Sequence, residues 1–227
     1  MANSKIQKKT VWPITLYFGV DLVKTCTGWY QKTGNMYEIN GSIDIRNVLL
    51  DVDYGFGEIQ YDKRKLKGSF SHTDGHYFRI GFGYNFLTPT LDYNQFFIGM
   101  RYARSFFSFR LKSDKLQCNH EPSKDCKPIC TAPIVFRNLK GSGVAHWWEL
   151  VVGGKVRLVS IASIGCAARY KFGKKIENKL DVLPFDMPGF GLSESKDAFG
   201  YSLYIIVAIP LQKSRPSAKI YSVPTRG

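Results

Sequence analysis

The sequence predicts an all-β chain folded as an eight-stranded antiparallel up-and-down transmembrane β-barrel, and three observations predict it. Apolar and polar residues alternate with a period of two in about eight segments, the signature of strands with unlike faces. The connections between those segments run long, short, long, short along the chain. The polar face carries Gly, Ser and Ala among opposite charges, instead of the Lys and Glu coat of a soluble sheet.

The 227 residues carry a net charge of +14, with 44% hydrophobic and 15% aromatic residues. Aromatics at this density can bury enough surface to fold, which excludes a disordered chain. Abundant Gly, Tyr and Phe, without long Ala/Glu/Lys/Leu stretches, argue against a helical bundle. No window holds the roughly 18 apolar residues of a membrane-crossing helix.

The first segment aligns Ile14, Leu16, Phe18, Val20 and Leu22 on one face, opposite Thr15, Tyr17, Gly19 and Asp21. The second sets Tyr37 to Ile45 against Glu38, Asn40, Ser42, Asp44 and Arg46. The third sets Val48 to Phe56 against Asp51, Asp53, Gly55 and Gly57. The fourth sets Phe78 to Phe86 against Tyr77, Arg79 and Asn85, and the fifth sets Phe96 to Tyr102 against Arg101, Ala103 and Ser105. The sixth pairs Trp148, Leu150 and Val152 with Trp147, Glu149, Lys155 and Arg157. The seventh opposes Ile164, Cys166 and Tyr170 to Arg169 and Lys171, and the eighth runs from Phe199 to Ile209. The expected long connections are 25–35, 62–75, 112–143 and 173–197, and the short ones lie near Arg46-Asn47, Thr88 to Asp92, and Val159-Ser160. A ten-strand count is the alternative, because Ala132 to Leu139 could add a strand within the third long connection.

A soluble lipocalin-like barrel would put the apolar face inside. The composition of the polar face favours the inverse, with Asp21, Glu38, Asp44, Asp51, Asp53, Arg79, Arg101, Glu149, Arg157 and Arg169 forming a charge network in the lumen. Eight strands leave a bore that side chains just fill, so the lumen is expected to be plugged. Aromatics near segment ends suggest an interfacial girdle: Trp12, Tyr17, Trp29, Tyr30, Tyr37, Tyr61, Tyr77, Trp147, Trp148, Tyr170 and Tyr201. Short turns and both termini would then face the periplasm and the long loops the exterior. The expected division is a basic segment over 1–11, the barrel over 12–211 and a basic tail over 212–227. No export signal is visible: Met1 to Thr10 is polar, Pro13 and Asp21 break the following apolar run, and Val23-Lys24-Thr25-Cys26 is a poor lipoprotein site.

Cys118, His120, Cys126 and Cys130 fall within thirteen residues, but their spacing matches no zinc pattern. A disulfide among Cys118, Cys126 and Cys130 is the simpler expectation, and Cys166, in an apolar run, reads as an inert packed residue. Ser71, His72, Asp74 and His76 supply the ingredients of acyl transfer, and His146 with Glu149 forms a second weak set; neither reads as a catalytic site. No phosphate loop, metal box or dinucleotide fingerprint appears, so no cofactor or metal is expected. The basic runs Lys63-Arg64-Lys65-Leu66-Lys67 and Lys174-Lys175 come without any nucleic-acid motif.

The runs Tyr77 to Phe86, Phe97 to Tyr102, Trp148 to Val156, Arg169 to Phe172 and Met187-Pro188-Gly189-Phe190-Gly191 resemble an uncharacterised family of bacterial outer-membrane β-barrels, a domain of unknown function. The resemblance covers about Gly19 to Leu211 and implies a location and a fold without a reaction. The resulting expectation is a non-enzymatic outer-membrane barrel with a plugged lumen, acting structurally or by binding through its long loops. Its partners would be outer-membrane lipids and an envelope component, with no nucleic acid. The alternatives are a lipid-modifying outer-membrane barrel enzyme and a soluble lipocalin-like ligand-binding barrel.

Overall fold

The computed structural model describes residues 14–31, 34–45, 47–61, 69–87, 94–113, 136–159, 161–178 and 182–212. The chain runs β1 (Ile14–Asp21), α1 (Leu22–Gln31), β2 (Met36–Ile45), β3 (Val48–Tyr61), β4 (Ser69–Asn85), β5 (Gln95–Ser113), β6 (Phe136–Arg157), β7 (Ala162–Asn178), β8 (Asp186–Met187), β9 (Gly191–Leu192) and β10 (Ala198–Gln212). Eight of these strands pair with their sequence neighbours and close into a ring in the order β1-β10-β7-β6-β5-β4-β3-β2. All the pairings are antiparallel, and β1 against β10 is the closing seam. The short strands β8 and β9 form a separate hairpin.

The period of two sets which way each side chain points, because successive residues of a strand face opposite sides of the sheet. Phe82, Leu150 and Ile205 point outward with 62%, 44% and 52% of their surface exposed, whereas Asp53, Arg79 and Arg169 are sealed in the bore at 0%, 1% and 2%. This is the inverse of a soluble barrel, which hides its apolar face. Three members of the expected aromatic girdle, Tyr17, Tyr77 and Trp147, also turn into the bore. Their alternation partners Phe18, Phe78 and Trp148 take the outer face instead. Cys166 lies on the outer face and is exposed rather than packed.

The first connection departs from expectation, since a helix follows β1 in place of a polar loop. Asp21 causes the switch. Its carboxylate accepts the amides of Val23 (2.9 Å) and Lys24 (3.4 Å), and Thr25 Oγ1 donates to its carbonyl (2.8 Å). Asp21 is thus the N-cap of α1. Strands β4, β5, β6 and β7 also reach further toward the long connections than the alternation suggests, so β4 absorbs Ser71 to His76. Residues 136–139 are the start of β6, which leaves eight strands in the ring. Cys118, Cys126 and Cys130 lie outside the described residues, as do 1–11 and 213–227.

The short connections, 46–47, 86–94 and 158–161, share one end of the ring, and the long ones share the other. At the tight β2–β3 turn Asn47 adopts φ 81°, a left-handed conformation that Asn tolerates. In the last long connection the β8–β9 hairpin dips into the bore. Its tip, Met187-Pro188-Gly189-Phe190, is a type II turn: Pro188 at the second position, Gly189 at φ 82°, and a Phe190 amide donating to Met187 O (3.1 Å).

Candidate functional site: the filled bore

The bore is stratified. Toward the short turns an apolar layer holds Tyr17, Leu49, Phe97, Val151 and Ile206. Toward the long connections a second layer holds Ala103, Phe107, Phe109 and Trp147, capped by Met187 and Phe190 of the hairpin. An ionic layer lies between them.

Its centre is Glu38 on β2. One carboxylate oxygen accepts from Arg79 Nη1 (2.6 Å), from the Tyr77 hydroxyl and from Lys24 Nζ of α1. The other accepts from the Tyr204 hydroxyl (2.8 Å) and Arg169 Nη2 (3.3 Å). Glu149 on β6 accepts from Arg79 Nε (3.0 Å) and Trp147 Nε1 (2.8 Å), and lies 3.6 Å from Arg169 Nε. Asp53 on β3 takes Asn40 and Arg101, with Arg79 and Arg169 each at 3.6 Å. Arg101 also reaches Asp51 at 3.1 Å. Four carboxylates (Glu38, Asp51, Asp53, Glu149) thus meet four cations (Lys24, Arg79, Arg101, Arg169), with Lys171 beside them. Buried ions cost several kcal/mol each to desolvate, and their mutual pairing here offsets that cost.

Of the ten charged residues expected in the lumen, Glu38, Asp51, Asp53, Arg79, Arg101, Glu149 and Arg169 converge here. Asp21 caps α1 and stands 3.9 Å from Lys24. Asp44 lies toward the short turns, accepting from Gln95 Nε2. Arg157 is also at that rim, where its Nε donates to Val159 O (3.3 Å). Sequence reading missed Lys24, Tyr77, Tyr204 and Lys171 as members. Tyr77 and Tyr204 sit on the polar parity of their strands, so alternation alone could have found them. Lys24 could not be found without foreseeing α1.

The hairpin is held to the ionic layer by its own backbone. Gly189 O accepts from Arg79 Nη2 (3.2 Å) and Lys171 Nζ (2.8 Å), and Phe190 O accepts a second bond from Lys171 Nζ (2.8 Å). The Tyr77 ring is clasped between two glycines: a Cβ on Gly55 would fall 2.2 Å from it, and one on Gly189 2.6 Å. Phe190 meets Trp147 edge-on at 5.3 Å between centroids. At the hairpin base Asp186 accepts from the Tyr61 hydroxyl (3.2 Å). Burial pushes the Asp186 carboxyl up to about 6, against the pull of Tyr61 and Lys171.

The candidate acyl-transfer groups do not assemble. Ser71 faces the bore and accepts the Phe185 amide at 3.2 Å, while His72 and Asp74, on the opposite parity of β4, face outward. His146 also faces outward, 6.1 Å from the Tyr102 ring, and Glu149 inward. Among the described residues no three His, Cys, Asp or Glu side chains gather as metal ligands.

A closed eight-strand ring with a greasy exterior and an ionic interior defines a β-barrel class. The chain belongs to a family described as a domain of unknown function (DUF6048), whose model matches residues 2–214. No curated protein matches it. Solved structures similar to it include Neisserial surface protein A (8% identity, TM-score 0.39, 87% of this chain and 96% of that one). A major outer membrane protein from Thermus thermophilus is similar at 10% identity and TM-score 0.40, over 88% of this chain and 100% of that one. Acinetobacter baumannii CarO is similar at 11% identity and TM-score 0.40, over 88% and 99%. Likeness at this level carries no functional argument.

Proposed function

We propose that the protein is an integral barrel of the bacterial outer membrane, non-enzymatic, with a closed bore and long outer loops that serve a structural or binding role. The observation that carries this reading is the outward apolar face, which runs through all eight ring strands while the ions are sequestered inside. In hydrocarbon every backbone polar group must be paired, and a closed ring meets that requirement. Residues Trp148 to Val156 on β6 are a nine-residue stretch with apolar residues outward, within the roughly 9–11 residues that a tilted strand needs to cross the hydrocarbon layer. Two apolar layers flank a buried ionic layer of paired charges, which opposes passage of ions or solutes.

Refolding into detergent tests the reading. A heat-modifiable shift in gel mobility is expected, together with recovery in the outer-membrane fraction of cells and no stepwise conductance in planar bilayers. A chain that stays monomeric and folded without detergent would overturn it.

A further inference from the structure

Three side chains on the outside of the barrel wall line up by register. Arg104 on β5 is paired directly with His146 on β6, and His146 with Lys175 on β7. All three face outward. The third joins the row because β7 changes phase: Gly173 adopts φ 64°, and the β6–β7 register shifts between His146 and Trp148. Lys171 before this bulge therefore points into the bore, and Lys175 beyond it points out. Arg104 and Lys175 carry like charge on one outward face, with the His146 imidazole between them. Neighbouring strands lie about 4.8 Å apart, so the three side chains span about 10 Å and can converge on one anion.

Depth identifies the anion. The row lies two residues, about 7 Å along the strand, beyond the outward ring pair Tyr102–Trp148 (centroids 5.3 Å apart), with outward Phe78 paired to Arg104 beside it. The Arg104 guanidinium lies over the Phe106 ring at 5.1 Å, and its Nε has no hydrogen-bond partner among the described residues. Just beyond is an outward groove of about 720 Å³, lined by Phe106, Ser108, Ser142, Val144, Asp74 and Glu177. Its acids repel a phosphate back toward the row and accept from sugar hydroxyls. Acyl chains below, phosphate at the row and sugar in the groove describe one molecule.

We propose that Arg104, His146 and Lys175 bind the phosphate of a phosphorylated glycolipid packed against the β5–β7 wall. The proposal rests on the outer-membrane reading, with the long connections outside. Guanidinium and ammonium groups supply charge-assisted bonds to phosphate, and the imidazole donates an N–H in either protonation state.

The test uses the full chain inserted into phosphatidylcholine vesicles containing either bisphosphorylated lipid A or its dephosphorylated form. Bound lipid is counted by native mass spectrometry after detergent extraction. The wild type should retain the phosphorylated form preferentially. Arg104→Gln with Lys175→Gln should lower that preference at least tenfold while the heat-modifiable shift persists, and Arg157→Gln at the opposite rim should leave it unchanged. Lys175→Gln alone, at an exposed position, should show a smaller drop and serves if the double variant does not fold. Insertion without preference for the phosphorylated form overturns this proposal and leaves the membrane reading standing. Displacement of the lipid by inorganic phosphate would also overturn it, in favour of a free-phosphate site. Failure to insert overturns both.

Discussion

At the scale of single residues, the ionic layer and the hairpin tip respond to substitution in different ways. Glu149→Gln removes the charge facing Arg79 and Arg169 while keeping an acceptor for Trp147. Breaking a buried ion network from one side costs about 3–5 kcal/mol, so the urea midpoint of the folded barrel should fall sharply. Lys196→Gln, exposed in the last connection, should change stability by less than about 0.5 kcal/mol. Gly189→Ala would force a left-handed backbone on alanine and press its Cβ onto Tyr77. About 1–3 kcal/mol of strain is expected, appearing as faster amide exchange over residues 185–193 in a ring that remains closed. The positions of Glu38, Asp53, Arg79 and Glu149 are legible in the sequence because strict alternation assigns a face to every residue of a strand. Tyr77 and Trp147 read wrongly as girdle members because a ring near a strand end suits either face, and parity is the better guide.

At the scale of elements, two features depend on local chemistry that a hydropathy pattern does not carry. Helix α1 begins because Asp21 caps it, although the apolar alternation continues through Leu22. Asp21→Ala should cost about 0.5–2 kcal/mol, seen as loss of helical signal and loosening of Lys24 from Glu38. The β8–β9 hairpin lies in what the sequence presents as an outer loop. Its inward docking depends on cations of β4 and β7 finding backbone carbonyls, a contact with no sequence periodicity. The hairpin should also respond to pH. A carboxyl with a raised folded pKa binds a proton on docking, so Asp186 stabilises the docked state fully below the unfolded carboxylate pKa. That contribution is lost as pH rises through about 6. Lowering pH from 7 to 5 should slow hairpin opening roughly tenfold, after correction for intrinsic exchange rates, and Asp186→Asn should flatten the response.

At the scale of the whole molecule, the decisive property is the inside-out distribution of polarity. Val152→Arg puts a charge in the middle of the outer band and should cost about 2–4 kcal/mol in bilayers, measured by unfolding from vesicles. Strand number, ring order and the long–short asymmetry can all be read from spacing. Strand length cannot, because past the outer apolar band the pattern of β5 reverses, with Arg104, Ser108 and Arg110 outward and Phe107, Phe109 and Leu111 in the bore.

The hairpin lies in the chain just before β10, the strand that seals the ring against β1. Arg79 and Lys171 therefore receive their backbone acceptors from a segment threaded into place immediately ahead of the final seam. A ring sealed before the hairpin docks would hold those cations short of acceptors until the loop entered from the open end. Stopper and seam are supplied by adjoining stretches of chain, and the stopper can lift out again without unsealing the cylinder.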